Sequence, residues 1–301
     1  MSQYQRILLI ADSAMRRTAA FEQAAWLARR SGAELHMAIF DRNAIIAAAG
    51  EINSRGYADA ESAWLQQRRR WLSDQAAELA GLGIRTRFEV IWAKAAAKPI
   101  LDHVAEVAPD IVIKDGRYES HLRRLLFTPL DWQLLRLCPV PLMFASELSH
   151  VVPKRIVAAV DASYRTVEHD ELNHRIIKQA LSLSIQCDAE LHLVYSMAGP
   201  NSMIDADGSR VGAIGELYAS LLPTHQRNFE ALAKLHSVPE DRRHFLDGQP
   251  AKTLPRFVRA DHSDVLVLGS TRHSMLDRFL MGTNAEAILD AAPCSILAVK
   301  S

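Results

Sequence analysis

The sequence predicts an α/β protein built from two similar units, each a doubly wound, parallel five-stranded sheet covered by helices on both faces. Short, nearly continuous apolar runs alternate with helical patterns, as in parallel sheets whose strands are buried on both sides. The order of these runs occurs twice: RILLIADS at 6–13 recurs as RIVAAVDAS at 155–163, and DIVI at 110–113 recurs as DVLV at 264–267. A duplicated unit therefore organises the whole chain.

Each unit is predicted to begin with a strand followed by a helix. Residues 7–10 form a short apolar run, and Phe21, Ala24, Ala25 and Ala28 then share one helical face. Further helices are predicted at 63–79 and 100–107. The predicted strands are 7–10, 35–40, 86–91, 111–113 and 140–144 in the first unit, and 156–160, 191–195, 243–246, 265–268 and 295–299 in the second. Right-handed crossovers join strands of this kind.

The two copies differ in length near their starts. Asp161 follows Asp12 by 149 residues, whereas Glu190 follows Glu34 by 156. The second copy therefore contains extra residues early in its course. We assign them to the polar stretch 168–174, which is predicted to be an insertion outside the core.

The boundary between the units is predicted at 150–153, after the fifth strand of the first copy and before the first strand of the second. The predicted domains are accordingly 1–149 and 152–301. A linker this short predicts that the two units dock as a pseudo-dimer, by pairing edges near their fifth strands.

Composition argues against several classes of function. The 301 residues carry 35 Lys plus Arg and 35 Asp plus Glu, so no net charge favours a nucleic acid or an anionic membrane surface. No apolar run is long enough for a membrane span, and the run at 7–10 is too short for a signal peptide. The three cysteines lie far apart, which argues against disulfides and thiolate zinc sites and favours a cytoplasmic location. The basic run 68–70 is interpreted as a solvated helix face.

A ligand site is predicted at the carboxyl ends of the strands in the second unit. Ligands of doubly wound sheets bind where the strand order reverses, beside the first and fourth strands. Asp161 follows the first strand there, and Gly269 follows the fourth. The segment Gly282-Thr283-Asn284 then opens a helix whose first N–H groups suit phosphate oxygens.

The segment from Val265 to Val299 resembles the ATP-binding segment of universal stress proteins, whose pattern is Gly, two residues, Gly, nine residues, Gly and then Ser, Thr or Asn. The spacing matches, but Arg272 occupies the position of the second glycine. A Cβ there costs roughly 1–2 kcal/mol if the loop needs positive φ, whereas the guanidinium suits a phosphate. The resemblance implies Rossmann-like, adenine nucleotide alpha hydrolase-like units. It also implies nucleotide-binding roles for these residues: Asp161, Ser196, Leu268, Gly269, Arg272, Gly282, Thr283 and Asn284.

The first unit has lost this pattern. Asp115, Tyr118 and Thr128 stand at the three glycine positions, and Pro129, which lacks an N–H, follows them. The sequence FTPLDWQLLR at 127–136 resembles the first half of E-type tandem universal stress proteins, so the resemblance covers the whole chain. We expect the first unit to be a structural or regulatory partner.

Two polar motifs are set aside. The histidines of HDELNH at 169–174 are five residues apart, whereas two ligands on one helix face need a spacing of four. The segment 205–216 resembles a calcium loop, but Arg210 occupies the position that requires glycine. No metal ligand and no catalytic residue is assigned from the sequence.

The leading hypothesis is a non-enzymatic, cytoplasmic stress-response protein whose second unit binds ATP or another adenine nucleotide as a regulatory signal, with Mg²⁺ only as a companion of the nucleotide. An unidentified protein partner would read the signal, and further association into a homodimer stays open. Two alternatives also stay open: a nucleotide-free scaffold that carries an apolar ligand, and a weak ATPase or nucleotidyl transferase.

Overall fold

The computed structural model describes residues 4–50, 54–119, 124–126, 128–163, 167–199, 211–270, 288 and 291–300. These residues fall into two compact units. The first lies within Met1–Gly116 and Thr128–Glu147, and the second within Arg117–Phe127 and Leu148–Ser301.

The first unit holds a parallel sheet of five strands in the order β7-β4-β1-β2-β3. Its strands are β1 (Arg6–Ile10), β2 (Glu34–Phe40), β3 (Thr86–Ile91), β4 (Ile111–Asp115) and β7 (Leu142–Ala145). Its helices are α1 (Ala19–Ser31), α2 (Ala44–Gly50), α3 (Ser54–Gly81), α4 (Ala97–Val107) and α5 (Pro129–Leu137). The segment between β4 and α5, which belongs to the second unit, forms an antiparallel pair of short strands, β5 (Arg117–Glu119) and β6 (Arg124–Leu126).

The second unit repeats this sheet in the order β10-β9-β8-β11-β12, and its strand pairs are also parallel. Its strands are β8 (Arg155–Ala159), β9 (Glu190–Met197), β10 (Arg243–Asp247), β11 (Val265–Ser270) and β12 (Ser295–Lys300). Its helices include α6 (Val167–Cys187), α7 (Val211–Leu235) and α8 (Pro250–Ala260), with a 3₁₀ turn at Glu240–Arg242.

The predicted fold class is confirmed, since each unit contains a parallel five-stranded sheet at the predicted positions. The central strands are apolar on both faces: Ile7, Leu8 and Leu9 of β1 are fully buried, as are Ile156 and Val157 of β8. The docking of the two units stays a prediction.

A carboxylate joins the first and fourth strands in both units, partly exposed in the first and buried in the second. In the first, Asp110 accepts hydrogen bonds from the main-chain N–H groups of Gln5 (2.6 Å) and Arg6 (2.8 Å). In the second, the equivalent Asp264 accepts from the N–H groups of His150 (3.0 Å), Lys154 (2.7 Å) and Arg155 (3.2 Å). The same device therefore recurs with one more main-chain donor.

The prediction that 168–174 lies outside the core is wrong. Helix α6 begins at Val167, and it carries Leu172 and Asn173 into the interior. The extra residues lengthen the first helix of the second unit toward its amino end. A polar sequence conceals this because only these two side chains of the stretch are buried among the residues whose burial the structure describes.

The interpretation of 68–70 as a solvated face is wrong for Arg68. Its side chain is buried, its Nε donates to Asp41 Oδ2 at 2.7 Å, and its guanidinium carbon lies 3.6 Å from the centre of the Trp64 ring. Arg69 and Arg70 are exposed, as expected. An ion pair and a ring contact therefore hold one arginine of the run inside the first unit.

Candidate functional site

Asp161 lies at the point where the strand order of the second sheet reverses. Strand β8 pairs with β9 on one side and β11 on the other, and the chain leaves β8 toward Asp161. The side chain of Asn173 on α6 holds the main chain here: its Oδ1 accepts from the Asp161 N–H at 3.0 Å, and its Nδ2 donates to the Asp161 carbonyl at 2.7 Å. The buried amide thus fixes the backbone at the predicted site.

The carboxylate of Asp161 is only partly used by the protein. Ser163 donates to Oδ1 from its main-chain N–H at 2.9 Å and from its hydroxyl. Within the part of the chain that the structure describes, no hydrogen bond reaches Oδ2. That oxygen can accept a hydrogen bond from a hydroxyl group of a ligand.

A buried histidine and tyrosine lie near this carboxylate. His225 Nδ1 and the Tyr195 hydroxyl are 2.8 Å apart. Burial lowers the pKa of His225, and the negative charge of Asp161 acts in the opposite direction. A ligand that neutralised Asp161 would therefore make the neutral form of His225 still more favoured.

Ser196 lies near the end of β9 with its side chain turned into the protein. Its hydroxyl donates to the Gly248 carbonyl at 2.8 Å and lies 2.7 Å from Thr253 Oγ1 on α8. These bonds tie β9 to the start of α8. The Ser196 side chain is thus structural, and the predicted nucleotide-binding role of Ser196 stays a prediction.

Gly269, near the end of β11, has a packing reason to be glycine. A Cβ there would lie 2.7 Å from Leu172 Cδ2 and 2.9 Å from Ile176 Cδ1 of α6. Carbon atoms in contact ordinarily lie about 3.5–4.0 Å apart. The long α6 therefore packs directly on this glycine, beside the buried Leu268.

The remaining predicted site residues, Arg272, Gly282, Thr283 and Asn284, lie outside the described residues. The structure brings Asp161, Leu268 and Gly269 to the carboxyl ends of adjacent strands, with Ser196 one strand further along. The predicted nucleotide-binding roles of all eight residues stay predictions.

The corresponding place in the first unit is filled by its own side chains. Asp12 uses both carboxylate oxygens: Oδ1 accepts from the Ala14 N–H at 3.1 Å, and Oδ2 accepts from Arg16 Nε at 2.6 Å. Asp115 accepts from Thr18 Oγ1 at 2.6 Å and from the Ala20 N–H at 3.0 Å, at the start of α1. Burial raises the pKa of Asp115, and these two hydrogen bonds oppose that rise.

The start of α5 is closed in the same way. Thr128 and Asp131 form a reciprocal capping box, with Asp131 Oδ2 accepting from the Thr128 N–H at 2.8 Å. Lys114 Nζ lies 2.9 Å from Asp131 Oδ1 and neutralises it. The sequence resemblance implies that the start of the equivalent helix in the second unit faces a phosphate. In the first unit an aspartate of the chain itself occupies that position.

Sequence reasoning missed a cluster of His36, Glu89 and His103 in the first unit. One ligand atom from each side chain lies within 4.8 Å of the others. The three residues come from β2, β3 and α4, so no local spacing reveals them. The available signal is that His36 and Glu89 lie on the same face of two adjacent predicted strands.

Comparison with known proteins identifies the lineage of this fold. The model of the universal stress protein family matches residues 3–145 and 153–300. The chain belongs to this family. The two matches make it a tandem universal stress protein, as the sequence analysis predicted.

Relatives of this chain include E-type universal stress proteins. The chain is 26% identical to universal stress protein E of Photorhabdus laumondii, across 100% of this chain and 96% of that one. It is 29% identical to the universal stress protein E homolog of Haemophilus influenzae, across 72% of this chain and 70% of the relative. A solved protein from Pseudomonas aeruginosa, PA1789, shares the fold with a TM-score of 0.74 and 20% identity, covering 99% of this chain and 92% of that one.

Among the residues described, none of the helices combines the length and apolar character that a bilayer crossing needs.

Proposed function

We propose that this universal stress protein is a non-enzymatic, cytoplasmic stress-response protein whose second unit binds ATP or another adenine nucleotide, and that the bound nucleotide is the regulatory signal. Family membership supports the role in stress response. The location of Asp161 at the reversal point of the sheet supports the nucleotide site.

The observation that carries the proposal is the contrast between two equivalent aspartates. In the first unit Asp12 Oδ2 accepts a hydrogen bond from Arg16. In the second unit Asp161 Oδ2 accepts none from the described residues. A ribose hydroxyl is a suitable donor to that oxygen. The proposed site is therefore open in one copy and closed in the other.

The phosphate end of the proposed site rests on the sequence. Gly282, Thr283 and Asn284 would offer main-chain N–H groups at the start of a helix, and Arg272 would add a guanidinium. Mg²⁺ would arrive with the nucleotide rather than at a site of its own. The first unit, with Asp115 and Asp131 in the corresponding places, would act as a structural or regulatory partner in a pseudo-dimer.

Calorimetric titration of the full chain with ATP, ADP and AMP tests the proposal. Asp161→Ala should weaken binding by about 10–100-fold, because a hydrogen bond to a charged group contributes about 1.5–3 kcal/mol. The matched control Asp12→Ala should leave the affinity unchanged. Absence of binding heat and of a thermal shift at millimolar nucleotide would refute the proposal.

One observation favours a second candidate, a nucleotide-free scaffold. Gly269 is explained by contact with Leu172 and Ile176, so a glycine at this place does not require a phosphate. The scaffold predicts that nucleotides change the melting temperature of neither the wild type nor Gly282→Asp. A weak ATPase would instead release phosphate in a manner that Gly282→Asp abolishes.

A further inference from the structure

His36, Glu89 and His103 face one another on one side of the first sheet. Strands β2 and β3 are parallel with His36 opposite Arg87 and Ala38 opposite Glu89, so His36 and Glu89 point to the same face. His103 on α4 packs over that face, with its ring centre 5.1 Å from that of His36 and 5.7 Å from that of Phe40. Three elements thus converge on one place away from Asp12 and Asp115.

The two histidines are buried and incompletely bonded. His36 is 6% exposed and His103 is 5% exposed, and the Nε2 atom of each has no hydrogen-bond partner within the described residues. A buried polar atom without a partner is costly, and native structures ordinarily satisfy such atoms with protein, water or an ion.

We propose that His36, Glu89 and His103 bind a divalent transition-metal ion of the zinc class. Imidazole nitrogens with one carboxylate are a donor set that zinc prefers, whereas calcium and magnesium prefer oxygen alone. His36 Nε2 lies 3.8 Å from Glu89 Oε1. On His103 it is Nδ1, rather than the unpartnered Nε2, that lies 4.0 Å from Glu89 Oε2. Ligands of a tetrahedral zinc ion with bonds of about 2.0 Å are roughly 3.3 Å apart. Because the three ligand atoms lie within 4.8 Å of one another, the separations must shrink by at most about 1.5 Å to close the site.

The exposed side of the cluster can supply the remaining ligands. Glu89 is half exposed, so its carboxylate can move toward the two rings. Glu106, three residues after His103 on α4, places an oxygen 3.8 Å from His103 Nδ1. Glu106 or a water molecule can supply the fourth ligand and complete the coordination.

The duplicated unit provides an internal comparison. His192 corresponds to His36, and His244 occupies the place of Glu89 on the adjacent strand, but Phe257 stands where His103 does. There His192 Nδ1 and His244 Nε2 are 2.9 Å apart, and the rings are stacked. The two histidines of the second copy therefore bond to each other through one ring nitrogen each, although His192 Nε2 also lacks a hydrogen-bond partner within the described residues. With Phe257 in place of a third donor, the second copy lacks a three-ligand cluster.

Zinc and cobalt binding by the full chain, purified with a chelator, tests the proposal. The wild type should bind one equivalent of Zn²⁺ that raises its melting temperature, while Mg²⁺ and Ca²⁺ do not, and Co²⁺ should show the visible bands of tetrahedral coordination. His103→Phe copies the second unit, and Glu89→Gln keeps the shape of the side chain while removing its charge. Each should weaken this equivalent by at least about 10–100-fold, because even the loss of a residue behind a ligand costs that much.

His244→Phe is the matched control, because it removes a histidine from the other unit at the equivalent strand position. It should leave the tight equivalent and the cobalt spectrum intact. Two results would overturn the proposal. One is that His103→Phe and Glu89→Gln both keep the full affinity for Zn²⁺, and the other is that His244→Phe, rather than these variants, loses the tightly bound Zn²⁺. Two cross-titrations separate this site from the proposed nucleotide site. His103→Phe and Glu89→Gln should bind nucleotide as the wild type does, and Asp161→Ala should bind zinc as the wild type does.

Discussion

Replacing Gly269 by alanine tests why glycine stands at the end of β11. The added Cβ would lie 2.7 Å from Leu172 Cδ2, 3.0 Å from Leu172 Cγ and 2.9 Å from Ile176 Cδ1. These distances fall short of ordinary carbon contacts by roughly 0.5–1 Å, in a buried position. Overpacking of this kind costs about 1–3 kcal/mol. We therefore expect the melting temperature of the second unit to fall by roughly 2–12 °C.

The assay exploits the placement of the tryptophans. All five lie between Trp26 and Trp132, in the first unit, so their fluorescence reports that unit, whereas far-UV circular dichroism reports both. Gly269→Ala should shift the urea transition seen by circular dichroism. The control is Gly215→Ala, because Gly215 lies within α7 with no atom near its missing Cβ. That substitution should stabilise by about 0.5–1 kcal/mol through helix propensity.

A double mutant identifies the cause of the Gly269 effect. Leu172→Ala removes the nearest obstructing side chain, so Gly269→Ala should cost at least about 1 kcal/mol less in that background. The packing explanation would be refuted if Gly269→Ala left stability unchanged in both backgrounds but abolished ATP binding. In that case close approach of a phosphate to the backbone would be the reason for the glycine.

Three further predictions concern stability. Asp264→Ala leaves three main-chain N–H groups without their acceptor and should lower the free energy of unfolding by at least about 3 kcal/mol. Asp110→Ala leaves only two such groups without an acceptor and should lower it by less. Urea titration measures both free energies. Arg68→Ala should cost about 3–5 kcal/mol because it breaks the buried ion pair with Asp41, whose carboxylate keeps a hydrogen bond from Trp64 Nε1 but no opposite charge. The exposed neighbour Arg69→Ala should change stability by no more than about 0.5 kcal/mol, as followed by tryptophan fluorescence. Burial lowers the folded-state pKa of several histidines, so the stability they contribute is complete above their unfolded pKa of about 6.5 and is lost as the pH falls below it. Melting temperatures measured from about pH 7 down to about pH 5 should therefore decline, and a flat profile would contradict the assignment to these residues: His36, His225, His236 and His244.

The strands could be predicted because their burial on two faces leaves a local record. Residues 7–10 and 156–160 are continuous apolar runs, and the structure places β1 and β8 there to within one residue. The reversal point followed from topology alone, so Asp161 could be placed from sequence. What surrounds Asp161 could not, since the amide of Asn173 comes from a stretch that is polar except for Leu172.

The errors share a physical origin in contacts between distant segments. Arg68 has the same sequence surroundings as Arg69, and only its position relative to Asp41, 27 residues earlier, selects it for burial. Leu172 is one apolar residue among polar neighbours. Its side chain packs against Gly269, which is far along the chain, and this contact leaves no local record in the sequence. The histidine cluster likewise requires knowing that α4 crosses β2 and β3.

The Asp264 carboxylate also determines where the chain can be divided. Residues 150–153 look like a hinge in sequence, yet His150 donates to Asp264 from both its main chain and its ring, and the Ser149 hydroxyl donates to the Asp264 carbonyl at 2.7 Å. A fragment that starts at residue 152 keeps the carboxylate but discards two of its four donors. A fragment that starts at Leu148 keeps all four donors.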